Sequence, residues 1–289
     1  MTQKKYLTFF LAVTLFTTSI SNAQNNGTKL ILIKGQKLQI DNVVKSLTNM
    51  DLMGQAMEMT SDATMTHQVE VKETKESNYT VASTITKITS NGNAMGQAYT
   101  FDSDKKEDLE TEIGKAMKGQ LNVTHEADFN TSGNVISEKK VAAAQAQNSN
   151  PMMDMMKNLT GGGSDDGGGA GEIFQVLPKG KKPGDSWTDS TIAEGSKTYK
   201  TYTLKEIKGN DAILTLSGTQ STNKKIEQQG MEVNVTMESK LSGESTVDLT
   251  TGIIKQKSLV MDGTGNADAM GQAIPITTKI TSNTLVKNL

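Results

Sequence analysis

Apolar and polar residues alternate along most of this chain. Val69 and Val71 alternate with Glu70 and Lys72, and Tyr79, Val81 and Ile85 share one parity. Val233, Val235 and Met237 alternate with Asn234, Thr236 and Glu238. Ile274, Ile276, Ile280 and Val286 hold even positions, with Thr277, Lys279, Thr281 and Asn283 between them. A period of two sets one face of a strand on a core and the other in water, as in antiparallel sheets. Turn signals punctuate the runs at Asn91-Gly92, Ser132-Gly133-Asn134, Lys208-Gly209-Asn210-Asp211 and Thr251-Gly252. The pattern predicts a mainly β protein built of curved antiparallel sheets or a half-barrel, with one to three short helices.

The clearest helical signal follows Ser103-Asp104. Leu109, Ile113 and Met117 recur at spacing four, with acids early and lysines late, which predicts one amphipathic helix near 103–117. Further helical stretches are predicted from Glu138 to Gln147 and from Pro151 to Leu159. Thr160–Gly171 holds seven glycines in twelve residues, which reads as a flexible linker. It divides a first β-rich half, 24–159, from a second, 172–289. The halves look related. Gly35-Gln36-Lys37-Leu38 opens one and Gly184-Asp185-Ser186-Trp187 the other, with Trp187 expected in the core. Thr86-Lys87-Ile88-Thr89-Ser90-Asn91 recurs as Thr278-Lys279-Ile280-Thr281-Ser282-Asn283, and Met-Gly-Gln-Ala occurs at 53–56, 95–98 and 270–273. Asp128-Phe129-Asn130-Thr131-Ser132-Gly133-Asn134-Val135-Ile136 is similar to Asp248-Leu249-Thr250-Thr251-Gly252-Ile253-Ile254. An ancestral duplication would explain these matches.

Residues 1–23 have the three parts of an export signal. Lys4 and Lys5 precede an apolar run from Tyr6 to Phe16, and Ser21 and Ala23 supply small residues before a cut at Ala23-Gln24. That run is shorter than the ~20 residues of a membrane span. The expected location is therefore the periplasm or the exterior, with no transmembrane segment in the mature chain.

Composition narrows the function. Among 289 residues there is no Cys and no Arg; all 30 basic residues are Lys, and the net charge is −2. Thiolate chemistry, disulfides and Cys-based metal sites are excluded. The missing bidentate guanidinium and the absence of a positive field argue against nucleic acid. The 37 threonines suit the wet face of a sheet. The 16 methionines suit adaptable apolar surface.

No motif carries a reaction. Gly184-Asp185-Ser186 looks like an esterase nucleophile, but the only histidines, His67 and His125, lie upstream where that class needs one downstream. Ser103/Lys106, Ser137/Lys140 and Ser221/Lys224 repeat a Ser-x-x-Lys spacing without its partner elements. Asp102-Ser103-Asp104 begins like a calcium loop but has Glu107 and Ile113 where Gly and Glu are required. Asp165-Asp166, and Asp262, Asn266 and Asp268 in an expected Gly-rich turn, read as solvated acids. Met152, Met153, Met155 and Met156, and the pair Met57 and Met59, are soft thioether ligands of the kind that favour Cu(I), or else apolar packing.

The signal peptide, the Gly35-Gln36 strand start, the Met-Gly-Gln turn at 53–55, Asp102-Ser103-Asp104 before a helix and the Gly184-Asp185-Ser186-Trp187 turn resemble an exported family of unknown function common in Bacteroidota-type bacteria. The resemblance implies no activity. By analogy it suggests the curved-sheet carriers that shuttle lipids or lipoproteins across the periplasm. The expected function is a non-enzymatic exported module binding a hydrophobic ligand or a protein partner on a curved sheet. Alternatives are a structural or surface interaction protein with no small ligand and, behind both, a Met-based copper-handling protein. No catalytic, cofactor-binding or metal residue and no cofactor is assigned. N-terminal sequencing of protein from the natural host should begin at Gln24; a chain beginning near Met1 would return the protein to the cytoplasm.

Overall fold

The computed structural model describes residues 29–52, 55–94, 96–139, 169–193, 195–228, 231–269 and 272–289. The expected signal peptide, the predicted helix at Pro151–Leu159, Asp165-Asp166 and the Met152–Met156 cluster lie outside the described residues, as does most of the predicted helix from Glu138 to Gln147; Glu138 and Lys139 end a strand.

Twelve strands make one antiparallel sheet. On the N-terminal side are β1 (Lys37–Leu52), β2 (Gln55–Thr74), β3 (Asn78–Ala94), β4 (Gln97–Asp102), β5 (Thr124–Asn130) and β6 (Val135–Lys139). On the C-terminal side are β7 (Ser186–Ala193), β8 (Ser196–Lys208), β9 (Asp211–Gln228), β10 (Met231–Asp248), β11 (Ile254–Ala269) and β12 (Gln272–Asn288). The order is β6-β5-β3-β2-β1-β12-β11-β10-β9-β8-β7, with β4 on β3. The two sides of the glycine-rich stretch therefore share one sheet, joined where β1 pairs with β12 from Leu38↔Asn288 to Met50↔Ile276. Each neighbour along that order is also adjacent in sequence, apart from β3/β5 and this one long-range pair. Among the described residues β6 and β7 are unpaired on their outer sides and form the two edges of the open sheet.

The alternation predicts the faces correctly. Leu38, Ile40 and Val44 of β1 lie in register with Val69, His67 and Ala63 of β2 and stand on the same side as Ile276 and Ile280 of β12. That inner side continues through Leu259 and Met261 to Leu241 and Val247. The opposite side is charged. Lys45 meets Asp62 at 2.8 Å, Lys287 meets Asp41 at 2.9 Å and Lys205 meets Glu244 at 2.8 Å. These pairs are exposed and individually worth little. Their position along the strands is informative, because a bilayer-spanning barrel presents an apolar band there and has no open edge.

The sheet is curled, and one residue proves it. Phe174 bridges to Ile253 at the start of β11 and packs edge-on against Phe129 of β5, with ring centroids 5.0 Å apart. Five strand spacings separate β5 from β11. On a flat sheet that is about 24 Å, beyond the reach of a single side chain.

Glycines let the strands bend. A Cβ on Gly265 would lie 1.9 Å from the carbonyl oxygen of Thr236, and one on Gly243 or Gly218 would lie 2.3 Å from that of Ser258 or Tyr199. Gly92 meets Thr60 in the same way at 2.1 Å. Deliberately curved sheets use such kinks. This corrects two expectations. Asn91-Gly92 is not a turn: β3 runs through it to Ala94. Asp262, Asn266 and Asp268 are not in a turn either. They occupy the outward positions of β11, because Gly263 and Gly265 between them face inward.

The single predicted helix is two: α1 (Lys106–Leu109) and α2 (Glu112–Lys118). Thr111 makes the break. Its Oγ1 accepts from Gly114 N at 3.0 Å and donates to the Asp108 carbonyl at 2.6 Å. Ser103 caps no helix; its Oγ accepts from Ile88 N at 3.0 Å and ties the end of β4 to β3. Leu109, Ile113 and Met117 do form the predicted face, packing with Met65, Ile85, Ile88 and Phe101.

One hydrogen-bond pattern occurs on both sides of the sheet. Gly35 N donates to Val71 O and Val71 N to Gln36 O, at 2.8 and 2.9 Å. Gly184 N donates to Leu204 O and Leu204 N to Asp185 O, at 2.8 and 3.0 Å. A bulge follows each acceptor, between Val71 and Glu73 and between Leu204 and Glu206.

Replacing Gly265 or Gly243 with Ala should destabilise the protein by about 1–3 kcal/mol, since a backbone carbonyl, not a flexible side chain, must yield. Thermal unfolding by circular dichroism measures it, with the outward-facing Ser242→Ala as a control expected to lie within about 0.5 kcal/mol of wild type.

Candidate functional site: the inner face of the curled sheet

The chain builds this interior in three parts. The first is a floor. Leu30 and Leu32, before β1, and the segment Ala170–Leu177, before β7, lie across one end of the sheet. Leu30, Ala170 and Ile173 are completely buried, together with Val81 and Phe129. Backbone hydrogen bonds fix the floor to both sides: Leu30 N donates to Thr131 O at 2.6 Å and Ile31 N to Thr251 O at 2.9 Å. Thr131 and Thr251 belong to the β5–β6 and β10–β11 turns, the two sequences whose similarity stands out above. Tyr79 adds a hydroxyl bond to the Leu30 carbonyl at 2.8 Å. The glycine-rich stretch thus ends earlier than its composition indicates. Ala170–Ile173 is a 3-10 turn, begun by Gly169 at φ 87°.

The second part is the wall. Its inward positions read Val44, Leu241, Met261 and Ile280 at mid-height, with Met65 and Leu259 beside them. Nearer the far rim come Val235, Met237, Ala267 and Ile276, with Met50, Val233 and Ile274. Met57 and Met59 join Met50 and Thr48 in register there. Hydroxyls interrupt the apolar rows, as in the buried contact of Thr48 with Thr278 at 3.0 Å. The third part is the pair α1–α2, whose apolar face covers the inward side of β2–β4. In sequence two residues separate β1 from β2, β3 from β4 and β11 from β12, and each pair is the Met-Gly of a Met-Gly-Gln-Ala repeat.

A polar tier separates floor from wall. Glu172 projects from the 3-10 turn, and Lys257 of β11 approaches it at 3.5 Å. Lys257 is the principal reason the Glu172 carboxyl sits below its ordinary range, opposed by desolvation and aided by Lys200 and His67. His67, on β2, lies beside Gly169, whose added Cβ would stand 3.4 Å from the imidazole Cε1. Burial pushes the His67 pKa below 6.5, Glu172 opposes that, and His125 reinforces it. Among the described residues the buried His67 Nδ1 has no hydrogen-bond partner. Tyr202 bonds Gln175 and is raised to about 12, chiefly by desolvation and then by Asp189. Trp187, expected in the core, is only partly buried. It stacks on Tyr202 with centroids 5.7 Å apart, under Lys181 Nζ at 6.0 Å.

The motifs weighed from sequence fall elsewhere. Ser186 Oγ meets Thr203 Oγ1 at 2.8 Å, far along the sheet order from the histidine strands β2 and β5. Ser221 and Lys224 stand on opposite faces of β9, as their register requires. Among the described residues no group of three or more His, Asp or Glu is arranged to hold a metal. No helix among them is long and apolar enough to cross a membrane. Glu172, Lys257, Lys200 and Gln175 were not anticipated. The signal was a lysine in phase with apolar inward residues: Lys257 with Leu259 and Met261, Lys200 with Tyr202 and Leu204.

These features define a class: an open, curled, up-and-down β meander with a plugged end and an apolar interior. The chain belongs to a family of unknown function (DUF6263), whose model matches residues 76–254. Curated proteins give no match. Solved structures matched include an outer membrane channel from Pseudomonas putida F1 (6% identity, 93% of this chain and 100% of that one, TM-score 0.23). They also include Salmonella typhi OmpF in complex with daunomycin (8%, 89% and 99%, TM-score 0.24) and Pseudomonas aeruginosa OccK7 (5%, 89% and 100%, TM-score 0.24). Scores this low do not establish a common fold.

The His67 shift fixes a pH dependence. A histidine whose folded pKa is depressed takes up its proton more readily when unfolded, so it favours the folded state above pH 6.5 and loses that contribution as pH falls. The Glu172 carboxyl, also depressed, loses its contribution only at lower, acid pH. Urea denaturation should show stability declining from pH 7 towards pH 5, about where an ordinary histidine titrates. His67→Gln should flatten that decline and leave the acid limb in place.

Proposed function

We propose that this protein is an exported, non-enzymatic carrier that takes an apolar ligand on the inner face of its curled sheet. The supporting observation is the contrast between the faces. The outer side carries ion pairs, whereas the inner side carries Met50, Met57, Met59, Met65, Leu216 and Leu259, all only partly buried. Partly exposed apolar surface gains free energy when a ligand covers it, at about 25 cal/mol per Å². Methionine suits a ligand of variable shape because its unbranched chain repacks easily. Export places such a carrier in the periplasm or outside the cell. The recurring turn and bulge geometry supports reading the two sides as related halves.

The test is ligand uptake. The chain purified after export should enhance the fluorescence of N-phenylnaphthylamine, and native mass spectrometry should show co-purifying lipid. Met57→Lys with Met59→Lys should abolish the enhancement by placing charge on the apolar face, whereas Met→Leu at both positions should keep it. A bare mass with no dye uptake would favour a structural or surface interaction protein.

A further inference from the structure

Charge is distributed unevenly between the two sides of the sheet. Register places Lys257, Lys200 and Lys224 inward, with His67 and His125. The inward positions of β1–β5 and β8–β12 carry no carboxylate among the described residues. The edge strands carry one each in inward register, Asp189 beside Lys200 and Glu138 beside Ala127. Away from the edges, Glu172 meets Lys257 and acts electrostatically on Lys200 and His67, and it comes from the floor rather than the wall.

Glu172 is placed as a removable group. It stands on a single 3-10 turn, Ala170–Ile173, directly after Gly171, and the turn follows a glycine-rich stretch of sequence. Its side chain is 41% accessible, and its contact with Lys257 is long at 3.5 Å. Lys257 has three N–H donors on its ammonium, and its side chain is 22% accessible. The buried His67 Nδ1 has no partner among the described residues. A buried polar atom without a partner calls for a missing water, ion or ligand group. Above this tier the wall is largely apolar, interrupted by hydroxyls such as Thr48 and Thr278 and by the inward Lys224.

We propose that Glu172 holds the place of a ligand's anionic headgroup, and that the protein binds an anionic amphiphile with its head at Lys257 and His67 and its chain along the methionine-lined wall. The head, a carboxylate or a phosphate monoester, takes over the Lys257 contact as Glu172 swings away on its turn. This names the ligand class of the carrier proposed above and rests on that reading.

The two key variants should move affinity in opposite directions. Dansyl-labelled undecanoic acid and its methyl ester share one chain and differ in head charge, so titrating the chain purified after export with each isolates the headgroup. The acid should bind more tightly than the ester. Lys257→Gln should weaken acid binding about tenfold, the scale of a lost charged hydrogen bond. Lys257→Arg should retain most of it. Glu172→Gln removes the internal competitor and should strengthen acid binding. Neither variant should change ester binding, which also verifies that both are folded. Competition by oleate against lysophosphatidate distinguishes a carboxylate head from a phosphate head, and displacement by either fits the site. Equal binding of acid and ester, or weakened acid binding in Glu172→Gln, would overturn the headgroup assignment and leave the apolar carrier standing. Failure of both probes to bind would overturn the carrier reading itself.

Discussion

Phe174 cannot touch both Phe129 and Ile253 unless strands five places apart are brought within a side chain's reach. That requirement is the constraint on which the architecture depends. The floor residues Leu30, Ile173 and Phe174 bury themselves only by drawing the two sides of the sheet together. Burial of this apolar group supplies the free energy that bends the sheet. Inward glycines lower the cost of bending, since at Gly265 and Gly243 a neighbouring carbonyl occupies the space of a side chain. An inner face and an outer face of opposite character follow from the curl.

The polar tier follows from the same constraint. Once the floor closes one end, the turn that carries Ala170 and Ile173 into the core also carries Glu172 into the concavity. Lys257 and His67 meet it there from strands that would stand well apart on a flat sheet. Glu172 and His67 are each perturbed by partners from other elements, so the tier exists only in the folded chain.

Much of the fold is legible in the sequence because strand alternation is local. Ile274 to Val286 states its own phase, and the β-rich class follows from several such runs. The helix at 103–117 was half legible. Spacing shows the apolar face of Leu109, Ile113 and Met117, but the break depends on the Thr111 hydroxyl competing for the Asp108 carbonyl. Asn91-Gly92 misleads because glycine serves both turns and kinks, and only the distant Thr60 carbonyl decides between them. The interior polar groups were the least legible. Lys257-Ser258-Leu259-Val260-Met261 has no clean alternation, since Val260 faces outward yet is only partly exposed. Without the phase of that strand, an inward lysine reads as one more surface charge.

The two edges of the sheet, β6 and β7, give it a freedom that closed barrels lack. A closed barrel has a circumference set by its strand number and stagger, and widening it ruptures a ladder. Here the ladder runs unbroken from β6 to β7 without closing on itself, so a relative movement of the two edges breaks no rung. The β1–β12 join lies midway, with β6, β5, β3, β2 and β1 on one side, β4 attached to β3, and six strands on the other. The floor, bonded to Thr131 on one side and to Thr251 on the other, confines that freedom to the far rim, so the sheet can change its girth at one end while the other stays pinned.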